Sequence, residues 1–433
     1  MQRVCGQNPG NRMAMADGTL AILVGGGPAP GINGVIASAT IEAKNAGLRV
    51  LGIYDGYRHI ARGDLSHVTE LSIEDVSRIH FTGGSLLRTS RTNPGKDDAT
   101  LDRCIASLDQ LGIRYLVCIG GDDTTYGASR IAAKTRGRIG VVTVPKTIDN
   151  DLPLPDNAPT FGFETARAVG TTIVENLMED ARTSSRWYVA VTMGRKSGAL
   201  SLGICKAAGA TLAIIPEEFP DGEIDLARVV DTIVGSILKR LAANHPHGVA
   251  VVAEGIVERL GARHFADLQN VPRDAYGHAR LADIPIGMVL REAVGKRLDE
   301  LGVEMSVVTK DIGYELRCAK PVPFDAEYTR TLGYGAVRYL LGGGSGALVA
   351  LSGGRVAPVV LEDLLDPTTG RIRVRLVDVT TESYEVARTY MIRLEANDLV
   401  EPRLSALSAT TTLAPHVFAE QFAASLGIAR ADG

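Results

Sequence analysis

Tyr115-Leu116-Val117-Cys118-Ile119-Gly120-Gly121-Asp122-Asp123-Thr124 is the stretch that decides the fold of this 433-residue chain. The apolar run Tyr115–Ile119 is too short for a free-standing helix and suits a strand buried on both faces. Two glycines break it, and two aspartates stand where a helix over Thr125–Lys134 begins. Working outward, Leu101–Leu111 reads as a helix and Gly140–Val144 as a strand, and earlier come a strand at Leu20–Val24, a helix from about Gly31 to Ala46 and a strand at Arg49–Tyr54. Strands that alternate with helices imply parallel βαβ units with right-handed crossovers.

The rhythm restarts after residue 165 with a strand at Trp187–Met193, a helix at Ser197–Gly209 and a strand at Thr211–Ile215. Asp225–Ala243 carries apolar residues at 226, 229, 230, 233, 234, 237, 238 and 241, the period of an amphipathic helix, and Val249–Ala253 follows as a strand. A further helix falls around 325–340 and a strand at Ala347–Leu351, whereas 360–400 has no clear period. Two successive α/β lobes are expected, joined through a proline-marked loop near 155–170.

Composition narrows the function classes. Hydrophobic residues make up 45% and charged residues 22%, the balance of a globular enzyme, and the formal charge of −4 with no basic stripe argues against nucleic-acid binding. The five cysteines, at 5, 104, 118, 205 and 318, lack paired spacing, which suits free thiols in a reducing compartment. No stretch is long and apolar enough to span a bilayer, and the first 18 residues lack the apolar core of a secretory signal. A cytoplasmic protein with no membrane partner is expected.

The chemistry gathers at turns after strands. Gly25-Gly26-Gly27-Pro28-Ala29-Pro30-Gly31 joins the first strand to the first helix, where backbone N–H groups can approach a phosphate. In the Gly-Gly-Asp-Asp turn one aspartate would suffice as a helix cap. Two carboxylates repel a phosphate unless Mg²⁺ intervenes. Pro145-Lys146-Thr147-Ile148-Asp149-Asn150-Asp151 follows a buried strand at the carboxyl edge of a parallel sheet, where ligands bind. A carboxylate there can take a proton from a hydroxyl, and the lysine can offset charge on a transferred group. Met193-Gly194-Arg195, Glu254 and the Lys310, Tyr314, Arg317 cluster also follow strands, and arginine with tyrosine suits a phosphate monoester. Arg186 begins the strand that Arg195 ends, so one chain does not easily bring both to one site. Together the turns point to phosphoryl transfer, in which the protein positions groups and neutralises charge.

In order and spacing these motifs resemble the phosphofructokinase family over roughly residues 19–405. ATP-using members typically carry glycine at the positions of Asp123 and Lys146, whereas members using inorganic pyrophosphate carry Asp and Lys, as here. Gly27-Pro28-Ala29-Pro30-Gly31-Ile32-Asn33 and Gly313-Tyr314-Glu315-Leu316-Arg317 also look like the pyrophosphate-dependent branch. A carboxylate at 123 adds negative potential where a nucleotide's inner phosphate would pass, and Lys146 suits a small, highly charged donor.

The resemblance implies two Rossmann-like three-layer lobes with the active site in the cleft between them: 19–162 with about 318–375 binding pyrophosphate and Mg²⁺, 163–317 with about 376–405 binding the sugar phosphate. An N-terminal tail at 1–18 and an extension at 406–433 would flank them. It implies transfer of phosphate from pyrophosphate to the 1-hydroxyl of fructose 6-phosphate, in glycolysis or gluconeogenesis, reversibly. Asp149 would be the base, Lys146 the stabiliser of the moving phosphoryl group with Asp123 and Arg195 beside the chemistry, and Asp122 the Mg²⁺ ligand. Thr147, Ile148, Met193, Gly194, Arg195, Glu254, Tyr314, Arg317 and Lys310 would hold the sugar phosphate, and Gly26, Gly27, Arg91, Gly121, Asp123 and Thr124 would border pyrophosphate. Arg186 matches an arginine lent across a subunit interface, which implies a homo-oligomer with shared sites. Many relatives have histidine at the Tyr314 position and an arginine at that of Val308, so Lys310 would supply that charge here. The alternatives are an ATP-dependent kinase, a silent sugar-phosphate-binding regulatory subunit, and the same chemistry on a phosphosugar such as sedoheptulose 7-phosphate.

Overall fold

The computed structural model describes residues 17–260, 285–368 and 372–428; Cys5 and almost all of the expected tail lie outside them. The chain divides into two compact units, residues 1–146, 154–161 and 320–373 in one and residues 147–153, 162–319 and 374–433 in the other.

Unit 1 is built on β1 (Thr19–Val24), α1 (Ile32–Asn45), β2 (Arg49–Ile53), β3 (Val68–Glu70), α2 (Ile73–Val76), α3 (Asp98–Gln110), β4 (Ile113–Gly120), α4 (Asp122–Thr135) and β5 (Gly140–Pro145). The intervening unit 2 holds α5 (Phe163–Ser184), β6 (Trp187–Thr192), α6 (Ala199–Ala208), β7 (Leu212–Ile214), α7 (Leu226–Ala242), β8 (Gly248–Ala253), α8 (Ile256–Arg259), α9 (Ile286–Glu300), β9 (Val307–Ile312) and α10 (Tyr314–Arg317). The chain then returns to unit 1 with α11 (Pro323–Leu341), β10 (Ala347–Leu348), β11 (Leu351–Ser352), β12 (Arg355–Val356) and β13 (Val359–Val360), before α12 (Glu382–Tyr390), α13 (Arg403–Ser408) and α14 (Pro415–Leu426) complete unit 2.

The unit 1 sheet has the order β13-β10-β5-β4-β1-β2-β3, parallel at its centre, with antiparallel partners β13 and β3 at its edges. Alternation along β1 makes the three layers. Leu20, Ile22 and Val24 pack into a core with α1 and α11, whereas Ala21 and Leu23 face one that includes Leu101 and Leu108 of α3 and Ile131 of α4. Unit 2 carries a wholly parallel sheet, β7-β8-β6-β9. The α/β class expected from the alternating pattern is therefore present, without a closed barrel. Among the described residues no helix is long and apolar enough to cross a membrane.

Local differences from the sequence reading have physical causes. The helix expected at Thr125 begins at Asp122, because acidic residues are stabilised in the first turn of a helix, at its positive end. The strand expected at Ala347–Leu351 breaks after Leu348, and Leu351–Ser352 pairs with Arg355–Val356 instead. Helix α5 went unread because its apolar face is narrow: only Phe163, Thr165, Ala166, Gly170, Val174 and Ala181 of its 22 residues are buried.

Candidate active site

In unit 1 the site is built at the carboxyl ends of β1, β4 and β5. Gly25 N donates to Ile119 O (2.9 Å) and Lys146 N donates to Gly120 O (3.0 Å), which draws the three strand ends together. Thr124, in the first turn of α4, is packed so closely into this corner that a Cβ on Gly25 or Gly120 would lie 2.2 or 2.3 Å from its hydroxyl oxygen. Gly26 has φ +83°, its N–H donates to Ser90 O (2.8 Å) and its carbonyl accepts from Thr89 Oγ1 (2.6 Å). Lys146 is only 5% exposed, and its ammonium donates to Gly27 O at 2.6 Å while standing 2.9 Å from where a Gly26 Cβ would be. A cation near the end of β5 is thus seated on the turn after β1, a juxtaposition of residues far apart in sequence.

Gly121 precedes α4, and Asp122 Oδ1 accepts from Asp123 N (2.8 Å). Asp123 is exposed, with Oδ1 accepting from Asn93 Nδ2 at 3.3 Å. Arg91, also exposed, follows Ser90, which forms a parallel bridge with Gly25. Asn93 had no sequence signal, since the stretch containing it reads as an ordinary polar loop.

In unit 2 the segment after Lys146 is fixed from two directions. Ile148 anchors it at 6% exposure, and Asp149 N donates to Thr147 Oγ1 (3.1 Å). Asn150 has φ +56°, in the left-handed region that asparagine tolerates. Arg375 holds that turn: Nε donates to Asn150 O (3.0 Å), an Nη donates to Asn150 Oδ1, and its backbone N–H donates to Asp151 O (2.8 Å). Arg375 was missed because it belongs to the 360–400 segment, which has no period to read.

At the carboxyl ends of β6, β8 and β9 lies a cavity of about 250 Å³, lined by Met193, Arg195, Glu254, Glu258, Tyr314 and Glu315 among others. Gly194 has φ +131°, and any Cβ there would meet Ser197 O at 2.7 Å, so the turn that presents Arg195 requires glycine. Arg195 Nε lies 3.6 Å from Glu258 Oε1. Burial pushes the Glu254 carboxyl above its ordinary range, opposed by Arg195, the Gly194 N–H and Arg317. Arg317 lies over the Tyr314 ring, 5.5 Å from its centroid. Lys310 pairs with Glu315 at 3.0 Å, beside this group. Glu258 and Glu315 add carboxylates that sequence reading did not assign. Unit 2 therefore gathers Met193, Gly194, Arg195, Glu254, Tyr314 and Arg317. Arg186 stands apart: it precedes Trp187 at the opposite end of β6, with Asp180 at 4.0 Å.

Backbone amides, a seated ammonium and paired carboxylates at strand ends, with an arginine-bearing cavity on a second α/β unit, are the equipment of a phosphotransferase. The chain belongs to the phosphofructokinase family, whose description matches residues 19–340. It is 55% identical over 388 residues to the pyrophosphate–fructose 6-phosphate 1-phosphotransferase of Thermotoga maritima, an alignment covering 88% of this chain and 92% of that one. It is 47% identical to the protein of the same name from Naegleria fowleri, covering 93% of this chain and 95% of the relative. Among solved structures, the pyrophosphate-dependent phosphofructokinase of Marinobacter aquaeolei superposes with a TM-score of 0.65 at 16% identity, covering 88% of this chain and 92% of that one, a likeness of fold.

Proposed function

We propose that this chain transfers a phosphoryl group from inorganic pyrophosphate to the 1-hydroxyl of fructose 6-phosphate, giving fructose 1,6-bisphosphate and phosphate. Relatives at 55% and 47% identity over most of the chain carry that activity in their names. The observation that carries the donor choice is Lys146, whose ammonium occupies the glycine turn at Gly26 and Gly27, with Asp123 at the head of α4. A buried cation there suits a donor that is all charge and has no nucleoside for anchorage.

In this reading Asp149 accepts the proton of the attacking hydroxyl, and Lys146 and Arg195 offset the charge that develops on the transferred group. Thr147, Ile148, Met193, Gly194, Glu254, Tyr314, Arg317 and Lys310 hold the sugar phosphate, a role the cavity size and its arginine support. Gly26, Gly27, Arg91, Gly121 and Thr124 border the donor. Asp122 offers a hard oxygen donor of the kind Mg²⁺ takes, next to the exposed carboxylate of Asp123, so the residues present fit that ion. When bound, Mg²⁺ supplies charge neutralisation to the phosphates.

Unit 1 would serve the donor and unit 2 the sugar phosphate. Arg186, remote from Arg195 along β6, would serve the site of a neighbouring subunit in a homo-oligomer. The buried thiols of Cys104, Cys118 and Cys205 are consistent with a cytoplasmic setting.

The test is the initial rate with Mg²⁺ and fructose 6-phosphate, comparing pyrophosphate with ATP. Turnover with pyrophosphate alone is expected. Turnover with ATP alone would overturn the donor, and none with either would overturn the reaction.

A further inference from the structure

The connection between β2 and β3, in unit 1, carries a cluster that the reaction does not use. His59 Nδ1 lies 3.5 Å from Asp64 Oδ2, and His67 Nε2 lies 3.9 Å from the same oxygen. All three donor atoms lie within 4.8 Å of one another. Ligand atoms held at ~2.0 Å around a tetrahedral zinc ion are about 3.3 Å apart, so a modest contraction of the three side chains would bring these atoms onto one coordination polyhedron.

The rest of each side chain is arranged to leave those atoms facing one another. Asp64 Oδ1 accepts from the Ser66 N–H (2.9 Å) and the Ser66 hydroxyl (2.7 Å), which leaves Oδ2 toward the rings. The Ser66 hydroxyl bond is the main reason the Asp64 carboxyl is held below its ordinary range. His59 Nε2 faces Asp55 Oδ2 at 3.4 Å, and Asp55 in turn has Arg88 Nη1 at 3.7 Å. A carboxylate behind a histidine sets the tautomer and directs the lone pair of the other nitrogen to a metal. Here His59 stands between two carboxylates, so a neutral ring sets one lone pair against a carboxylate oxygen, and a cation between them relieves that repulsion. The His67 ring has Nδ1 3.4 Å from Ser66 Oγ, which leaves Nε2 toward Asp64, and the two rings stand edge to face with centroids 3.5 Å apart.

The backbone beneath is fixed. Tyr54 N donates to His67 O (3.0 Å), continuing the β2–β3 pairing, and both Arg62 N and Asp64 N donate to His59 O (2.9 and 3.1 Å). Ile60, next to His59, is fully buried. The donors are therefore pre-positioned on a rigid loop. Two imidazoles and one carboxylate are a borderline donor set, suited to Zn²⁺ or Co²⁺ and unlike the all-oxygen shell that Mg²⁺ prefers.

We propose that His59, Asp64 and His67 form a second metal site, separate from the donor-side magnesium, which binds one zinc-class divalent ion with its fourth position open to water and clips the β2–β3 connection. The test uses the full, tag-free chain, stripped of metal and carrying Cys5→Ser and Cys318→Ser to remove competing thiols, titrated with Co²⁺ and followed by the visible d–d absorption of the ion. One equivalent bound at micromolar Co²⁺, displaced by Zn²⁺ and accompanied by a rise in Tm, is expected. His67→Ala, at a half-exposed residue, should abolish that binding, and Asp55→Asn should weaken it roughly tenfold through the His59 ring. His245→Ala, in the pair that His245 makes with His247, should leave it unchanged. No binding at submillimolar Co²⁺, or binding that survives His67→Ala, would overturn the proposal, as would loss on His245→Ala.

Discussion

In the proposed reaction Lys146 and Asp123 would act on the donor in opposite senses, so their substitutions should separate. Lys146→Gly removes the ammonium seated on the Gly26–Gly27 turn and should lower kcat with pyrophosphate by roughly 10²–10³, the range for losing a charge-stabilising donor, read from steady-state rates. Asp123→Gly removes an exposed carboxylate bonded to Asn93 and should raise the rate with ATP above the wild-type background without matching the pyrophosphate rate, since Lys146 stays. In the proposed reaction Glu254 would belong to the sugar-phosphate side. Its carboxyl is raised by burial, so the folded state binds a proton more readily than the unfolded chain. The wild type should therefore lose stability relative to Glu254→Gln as pH rises from 4.5 through the raised value, read from urea midpoints across that window. The same variant should raise KM for fructose 6-phosphate by about tenfold, a charged hydrogen bond's worth. A pH-independent stability difference would refute the burial argument.

At the scale of elements, what the sequence disclosed was whatever carried a strong period or punctuation. The strand at Tyr115–Ile119, its double glycine and the helix after it are visible because buried parallel strands are continuous apolar runs. So is the run from Pro145 to Asp151, whose turn chemistry is explicit. Arg375 was invisible because its function is to hold another segment's backbone, and nothing in its neighbours says which. Glu258 and Glu315 were hidden because acidic residues in short helical turns look like ordinary solvated surface. The closest helix pair shows packing that sequence also conceals: at Gly333 of α11 a Cβ would lie 2.1 Å from Ser38 Oγ and 2.6 Å from the backbone oxygen of Val35 in α1. Alanine gains ~1 kcal/mol of helix propensity over glycine. Overpacking against immobile backbone costs about 1–3 kcal/mol. Packing should win, and Gly333→Ala should lower the urea midpoint, whereas a rise would mean that α1 and α11 separate without cost.

For the whole molecule, neither unit is one continuous segment. The core of unit 1 uses Leu332, Ala336, Val337 and Leu340, which follow β1, β2, β4 and β5 by well over a hundred positions of unit 2 sequence. Residues 19–161 expressed alone should therefore fail to fold cooperatively and should bind a hydrophobic dye, while adding residues 320–373 through a short linker should restore a sharp transition in denaturant. If Arg186 serves a neighbour's site, mixing Arg186→Ala with Asp149→Ala, each inactive alone, should recover a fraction of wild-type turnover after subunit exchange. No recovery would confine Arg186 to its own subunit.

The antiparallel edge made by β13 on β10 has a consequence for the nascent chain. Strand β5 has β4 on one side from the moment both are made, but its other edge pairs with β10, at residues 347–348, which carries β13 in turn. At ribosomal speeds of roughly 5–20 residues per second, that edge stays unpaired for about 10–40 s after β5 emerges. An open strand beside an uncovered apolar face is the form in which chains associate wrongly. Slower translation of the stretch between α5 and α11 lengthens that exposure, so it should lower the soluble yield in the cell.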